Sequence, residues 1–448
     1  MSRSGTSRSV WWLSPVAVTL VVAFISIIPA AFIGDERFRV LWNTPKVLTT
    51  ETCALFLAGA MTIALGALVV IALMPGRDGA VRWPNLEPTD IALLRKASIV
   101  LFALTLVGYL AFAFVILKAG ISWDDVTGTA EVNGEIPLKK RASTIAGLTT
   151  LTQVGIASTI VSSLLLCYKR TAGEVAKLSI LFILSILRAF IWSERLAFLE
   201  LVVPVIVIYV SHRASVTKSR RGLISVAPVV ALPALFSIFG FFEYFRSWAY
   251  YRTISNENFA TFVGERLAAY YVTGLNNGQI EMNQLATPGR WPFATIEALW
   301  TAPGLSSVGM YEKLSAGSPS LDGRGTPDPL ALLEKFGSIE FNNPSGYGEV
   351  FLDYGRFGAF AYFLLVGILA GVLYCRMRQS RATGLLFYPL IYVGLLEFPR
   401  YIHWAQGRTT PALVSLLVVA ILLHRSRLSA SRLSATRRRV RLASPAAV

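Results

Sequence analysis

Long apolar runs broken by short polar segments set the pattern of this chain. Runs such as Trp11 to Phe32, Cys53 to Met74 and Ala97 to Leu117 each approach the roughly 20 residues a helix needs to cross a hydrocarbon core. The same signal predicts spans at 11–32, 52–74, 97–117, 144–167, 176–191, 196–211, 223–242, 357–375, 384–396 and 409–424. The first run is long for the apolar region of a secretory signal, lacks a small-x-small cleavage site and is followed by many like it, so it reads as a span. The expected fold class is all-α, a polytopic membrane helix bundle of about ten transmembrane helices.

Composition supports that reading. Hydrophobic residues make up 54% of the 448 positions and charged residues only 15%, so the net charge of +16 points to lipid rather than nucleic acid. With the N-terminus inside, segments 1–10, 75–96, 168–177, 212–222, 376–383 and 425–448 are cytoplasmic and hold 23 Lys and Arg against four acids, Asp78, Glu87, Asp90 and Glu174. The positive-inside rule expects this asymmetry, with both termini cytoplasmic. Arg425, Arg427, Arg432, Arg437, Arg438, Arg439 and Arg441 then anchor the tail to anionic membrane lipids. The chain divides into an N-terminal bundle of about seven helices (1–242), a large extracytoplasmic loop (243–355), C-terminal transmembrane helices (356–424) and a basic cytoplasmic tail (425–448). Cys53, Cys167 and Cys375 lie in or at the ends of apolar runs and suggest neither a disulfide framework nor a metal cluster.

Three charged elements are expected on the outer side. The stretch Ala176 to Tyr209 would reach about 51 Å as one helix against a core of about 30 Å, so it must fold back. The turn falls at Trp192-Ser193-Glu194-Arg195, with two short legs and a recessed tip. A second hairpin, Gly384 to Leu396 and Thr409 to His424, carries Glu397, Arg400, His403 and Arg408 at its tip. In the third element, where the large loop re-enters the membrane, a continuous helix would line up Glu349, Asp353 and Arg356 on one face. Arg246 to Gly274 is expected to be an amphipathic interfacial helix rich in aromatics, and Ala286 to Asn343 a Gly/Pro/Ser-rich loop with short helices.

Outward-facing Arg188, Arg195, Arg246, Arg252, Arg266, Arg356, Arg400 and Arg408 run against the positive-inside tendency. An anionic ligand would hold them there, because the guanidinium fork binds phosphate bidentately and stays charged. The plainer alternative is that they pair with Glu194, Glu243, Asp353 and Glu397 to join helices. Asp35-Glu36 and Asp124-Asp125 are adjacent carboxylates without a third ligand, so no metal and no other cofactor is expected. No Walker loop, dinucleotide fingerprint, HExxH or GxSxG motif is present.

Three short motifs carry a family likeness: Ser193-Glu194-Arg195-Leu196-Ala197-Phe198, Arg246-Ser247-Trp248, and Asn342-Asn343-Pro344-Ser345-Gly346-Tyr347-Gly348-Glu349 running into Asp353-Tyr354-Gly355-Arg356-Phe357-Gly358. With the large outer loop in the second half, they resemble the bacterial O-antigen and oligosaccharide repeat-unit polymerases. The related O-antigen ligases place a histidine followed by asparagine before the re-entering helix, where this chain has Phe341-Asn342.

The resemblance implies a glycosyltransferase on the outer face of a bacterial cytoplasmic membrane. Its donor and acceptor would be polyprenyl-diphosphate-linked oligosaccharides, with a chain-length regulator and a flippase as partners. Arg195, Arg246, Arg252 and Arg266, then Arg356 and Arg400, are the expected diphosphate ligands, with Glu349 or Asp353 as base and His403 as the alternative. A flippase or transporter of a lipid-linked or anionic solute is the competing class. The lack of an internal repeat and the long one-sided loop count against it.

Overall fold

The computed structural model describes residues 10–74, 83–84, 86–122, 125–126, 144–145, 147–192, 196–216, 224–248, 251–253, 257–285, 291–302, 304–314 and 329–443. Among these the secondary structure is helical, with no strand. The main helices are α1 (Pro15–Phe32), α2 (Asp35–Trp42), α3 (Thr50–Leu73), α4 (Pro88–Lys118), α5 (Val154–Tyr168), α6 (Ala172–Ile191) and α7 (Leu196–Val216). They continue with α8 (Ala227–Glu243), α9 (Phe259–Gln284), α10 (Pro329–Phe336), α11 (Gly346–Arg378), α12 (Ala382–Glu397) and α13 (Thr410–Ala443).

Among the described residues, seven helical segments are long and apolar enough to cross a membrane: α1, α3, α4, Thr149–Tyr168, α7, α11 and Thr410–Leu428 of α13. Helices α8 and α12 are apolar but shorter, and α6 carries Glu174, Lys177 and Arg188 along its 20 residues. Outward faces keep large aliphatics exposed, such as Leu65 and Leu68 on α3, Ile99, Val100 and Leu110 on α4, and Leu417 and Val418 on α13. Contiguous exposed apolar surface of this kind suits a lipid solvent.

The tightest packing joins α11 to α3, with α1 against α3 and α12 beside α11. Gly367 makes this approach possible: a Cβ there would lie 2.1 Å from the Ile63 carbonyl oxygen, so only glycine lets the backbones meet. A second layer of α4, α5, α6 and α7 joins the first through α7 against α12 and through α13. Helix α5 is the inward element of that layer and is buried continuously from Val154 to Leu165.

Four local expectations change. The first hairpin has legs of 20 and 21 residues, longer than expected, because both helices run on into polar flanks. The second hairpin's tip is packed inside: Phe398, Tyr401, Ile402, His403 and Ala405 are all buried. The interfacial helix expected over Arg246 to Gly274 is replaced by a π-helical turn at Tyr244–Trp248 and then α9, which Asn258 caps through the Thr261 N–H at 2.9 Å. From Val272 to Glu281 every residue of α9 is buried, and the helix packs against α1, α8, α10 and α11. Finally, Gly355 (φ +64°) breaks the regular path of α11, so Glu349, Asp353 and Arg356 do not share a face.

Candidate functional site

The polar half of α9 and the first two turns of α11 create a buried polar region. A helix with Asn276, Asn277, Gln279 and Glu281 in its interior is stable only if each amide finds a partner. Asn276 Oδ1 accepts from the backbone N–H groups of Val47 (2.7 Å) and Leu48 (2.9 Å), while its Nδ2 donates to the Pro45 carbonyl (3.0 Å). Asn277 Nδ2 donates to the carbonyls of Phe341 (2.6 Å) and Asn343 (3.0 Å), tying the incoming loop to α9. Where α9 crosses α11, a Cβ on Gly348 would stand 2.5 Å from the Gly278 Cα. The start of α11 also docks on the second hairpin tip, Gly346 N–H donating to the Phe398 carbonyl at 3.1 Å.

Four of the residues singled out in the sequence converge here. Glu349 is buried, and one of its oxygens accepts from the Ile402 N–H at 3.2 Å. Asp353 accepts from the N–H groups of Phe293 (2.9 Å), Ala294 (3.3 Å) and Thr295 (2.7 Å) and from the Thr295 hydroxyl (2.7 Å). It therefore clamps the short turn Ala294–Ile296, and its oxygens are committed to that task. Arg400 is ion-paired with Glu397, reaches Asn343 Oδ1 at 3.4 Å and lies over the rings of Tyr270, Tyr271 and Tyr401. Arg266 pairs with Glu340 at 2.5 Å and Glu243 at 3.6 Å and stacks on Tyr251, Phe262 and Phe341. The two arginines flank one aromatic pair, since the rings of Tyr270 and Phe341 are in edge contact at 5.9 Å.

Burial acts against the charge on both arginines, yet Glu243 and Glu340 at Arg266, and Glu397 at Arg400, outweigh it and hold them more firmly protonated than usual. The opposite happens at Glu281, where burial and then the Asp353 carboxylate push the carboxyl up to about 8. Burial and Asp353 thus favour the neutral form of Glu281, which lies within electrostatic reach of Glu349. Burial also raises Glu297 on the neighbouring turn.

Several buried polar atoms in this region lack a hydrogen-bond partner among the described residues: Glu281 Oε1, Ser345 Oγ, Arg400 Nε and Tyr401 OH. Such atoms also occur elsewhere among the described residues, as at Ser158, Thr159 and Ser163 of α5, but here they lie beside charged side chains able to bind a polar group.

The remaining predicted residues are placed elsewhere. His403 is fully buried, with Nε2 3.1 Å from Glu200 Oε1, and Arg408 donates to the other Glu200 oxygen at 3.1 Å. Arg188 donates to Thr152 Oγ1 at 2.7 Å and lies within electrostatic reach of Glu200, so these groups form a second polar cluster between α5, α6, α7 and the hairpin tip. Arg356 is exposed and pairs with Glu51 at 3.1 Å, because the Gly355 kink turns it away from Glu349. Arg252 is exposed. Arg195 and the side chain of Arg246 lie outside the described residues, as does Asp124. Asp35 sits 4.0 Å from Lys46, and among the described residues no three His, Cys, Asp or Glu gather to hold an ion.

Glu281 and Glu200 were missed in the sequence. Both carried a signal: Glu200 is an acid inside an apolar run, and Glu281 closes the Asn/Gln-rich turn of a helix otherwise rich in small and apolar residues. Comparison with protein-family models, with curated proteins and with solved structures finds no match.

Proposed function

We propose that this chain is a membrane-embedded glycosyltransferase that joins polyprenyl-diphosphate-linked oligosaccharide units on the outer face of the bacterial cytoplasmic membrane, with both termini cytoplasmic. The observation that carries the reading is the set of polar atoms of Glu281, Ser345, Arg400 and Tyr401 without a partner among the described residues, with the buried Arg266 beside Arg400. A diphosphate needs fixed cations at the point where charge develops, and a buried guanidinium supplies one without reorganisation. Arg400, whose Nε has no partner, takes up charge on the departing lipid diphosphate, and Arg266 supports it across the Tyr270–Phe341 pair.

A sugar hydroxyl of the acceptor attacks the anomeric carbon of the donor. The new C–O bond forms as the bond to the diphosphate breaks, the electron pair leaves with the lipid diphosphate, and the hydroxyl proton passes to the Glu349 carboxylate. Glu281, whose carboxyl is pushed up by burial and by Asp353, lies within electrostatic reach of Glu349, and its neutral form avoids placing a second negative charge next to the base. Asp353 is assigned to positioning, because its oxygens already hold Phe293, Ala294 and Thr295. The Tyr270, Tyr271 and Tyr401 rings around Arg400 provide faces for sugar stacking.

The test is elongation of lipid-linked oligosaccharide by the purified protein in detergent micelles. A micelle has no second side, so product formation there cannot come from transport. Elongation that is lost in Glu349→Gln while the protein stays folded supports the reading. Elongation unaffected by Glu349→Gln, or no elongation by the wild type together with movement of the lipid-linked glycan across vesicles, overturns it.

A further inference from the structure

At the other end of α11, some 27 residues and about 40 Å from Glu349 along the helix, lies a second feature with a different chemistry. A cavity of about 340 Å³ is lined by Arg376, Arg381, His424 and Arg427, with Thr383 and the apolar Ala382, Leu386, Ala420 and Leu423 completing the wall. The basic groups come from three places: the last turn of α11, the α11–α12 junction and α13. Arg427 is balanced by Asp90 at 2.9 Å. Among the described residues no carboxylate lies within ion-pair distance of Arg376 or Arg381. Arg376 is half-buried and Arg381 exposed, and an anion seated between them would offset their mutual repulsion.

The residues around the cavity point to the anion's source. Ala420 and Leu423 line its wall, and on the adjoining surface of α13 Leu417, Val418, Ile421 and Leu422 are exposed. A free phosphate would use the arginines alone, whereas a phospholipid would also use this aliphatic strip for its acyl chains. Ala382 and Thr383, the first residues of α12, bring a helix start without a side-chain cap to the cavity wall.

We infer that the cavity bounded by Arg376, Arg381, His424 and Arg427 binds the phosphodiester headgroup of an anionic phospholipid, with its acyl chains along α13. The site is independent of the glycosyl-transfer reading. It would tie the α11–α12 junction to one leaflet and so hold α11 at a set depth.

The test uses the full chain, delipidated in neutral detergent, with phosphatidylglycerol, phosphatidylcholine and inorganic phosphate as separate probes. Thermal shift gives the affinity and native mass spectrometry the retained lipid. Phosphatidylglycerol is expected to protect the protein and be retained, phosphatidylcholine to do neither, and the double variant Arg376→Gln/Arg381→Gln to weaken phosphatidylglycerol binding at least tenfold. Arg95→Gln, which removes an exposed charge near the same end of α4 but outside the cavity, is expected to bind like the wild type. Binding unchanged in the double variant, or weakened equally in Arg95→Gln, overturns the site. Variant-sensitive protection by inorganic phosphate that matches phosphatidylglycerol overturns the lipid as its source. Should the double variant not fold, the wild type still decides, because equal retention of phosphatidylglycerol and phosphatidylcholine refutes the inference.

Discussion

The two parts of α11, split at Gly355, solve the problem of packing in an apolar surrounding in opposite ways. The long second part meets α3 through shape: Gly367 and Gly371 let the backbones touch, and the Phe363 ring packs against Gly59. Little is left unsatisfied there, because there is little polar to satisfy. The short first part lies in polar surroundings: Gly348 packs on Gly278 of α9, Glu349 accepts from the Ile402 N–H of the hairpin tip, Asn277 of α9 holds the loop that leads in, and among the described residues Glu281, Ser345, Arg400 and Tyr401 keep atoms without a partner. A seam built by shape holds the bundle, whereas a seam built by incompletely paired polar groups is poised to bind something.

The sharpest way to break this contrast is at Arg400. Arg400→Ala is expected to lower elongation by about 10²–10³-fold, the loss typical of a removed charge-stabilising donor. It also leaves Glu397 buried and unpaired, at about 3–5 kcal/mol of stability. Arg400→Lys restores the charge and should recover folding more than turnover, since an ammonium cannot reproduce the fork. Equal recovery of both would reduce Arg400 to a structural pair.

Next comes the pH dependence at Glu281. Its folded value of about 8 lies above the ordinary 4.5, so the neutral form is favoured by folding. The associated stability is fully present below about pH 4.5 and is lost as pH rises through 8, by an amount on the order of 5 kcal/mol. Melting temperatures in detergent between pH 5 and 9 should therefore fall for the wild type and stay flatter for Glu281→Gln. Parallel curves would place the carboxyl in a more solvated site than its burial indicates.

A smaller effect is expected on the apolar side. Gly367→Ala puts a methyl 2.1 Å from a backbone oxygen of α3 and should cost about 1–3 kcal/mol as the helices part. Turnover per folded molecule should stay near the wild-type value. Gly348→Ala makes a comparable clash at 2.5 Å on the polar side and should lose turnover beyond what its folded fraction explains. Similar behaviour of the two would erase the distinction between the seams.

The smallest change is at Arg356. Its pair with Glu51 is exposed on both sides, so Arg356→Ala should shift stability by no more than about 0.5 kcal/mol and leave elongation intact. A large loss of elongation would return Arg356 to the ligand set from which the Gly355 kink removes it.

Much of the architecture was legible because lipid imposes a simple rule. A helix that must satisfy its own backbone in hydrocarbon needs an unbroken apolar run, and each of the ten predicted spans corresponds to a helix here, seven of them long and apolar enough to cross. Glu349 and Arg400 were also visible as charges beside apolar runs. Other features had no such local signature. Asp353 and Arg356 share a helical face on paper, and only the positive φ of Gly355 separates them. His403 could be placed at a hairpin tip, but nothing near it in the chain named its partner, Glu200, which lies some 200 positions earlier.

By itself, then, the order of residues determined which segments are apolar helices and where charges interrupt them, since hydrophobic transfer is a property of each segment alone. Which carboxylate meets which guanidinium, which arginines remain in solvent, and that α9 plunges inward instead of lying on a surface were decided only in three dimensions. The reason is that desolvation and pairing depend on the distance between groups far apart in the chain, and tertiary packing alone sets that distance.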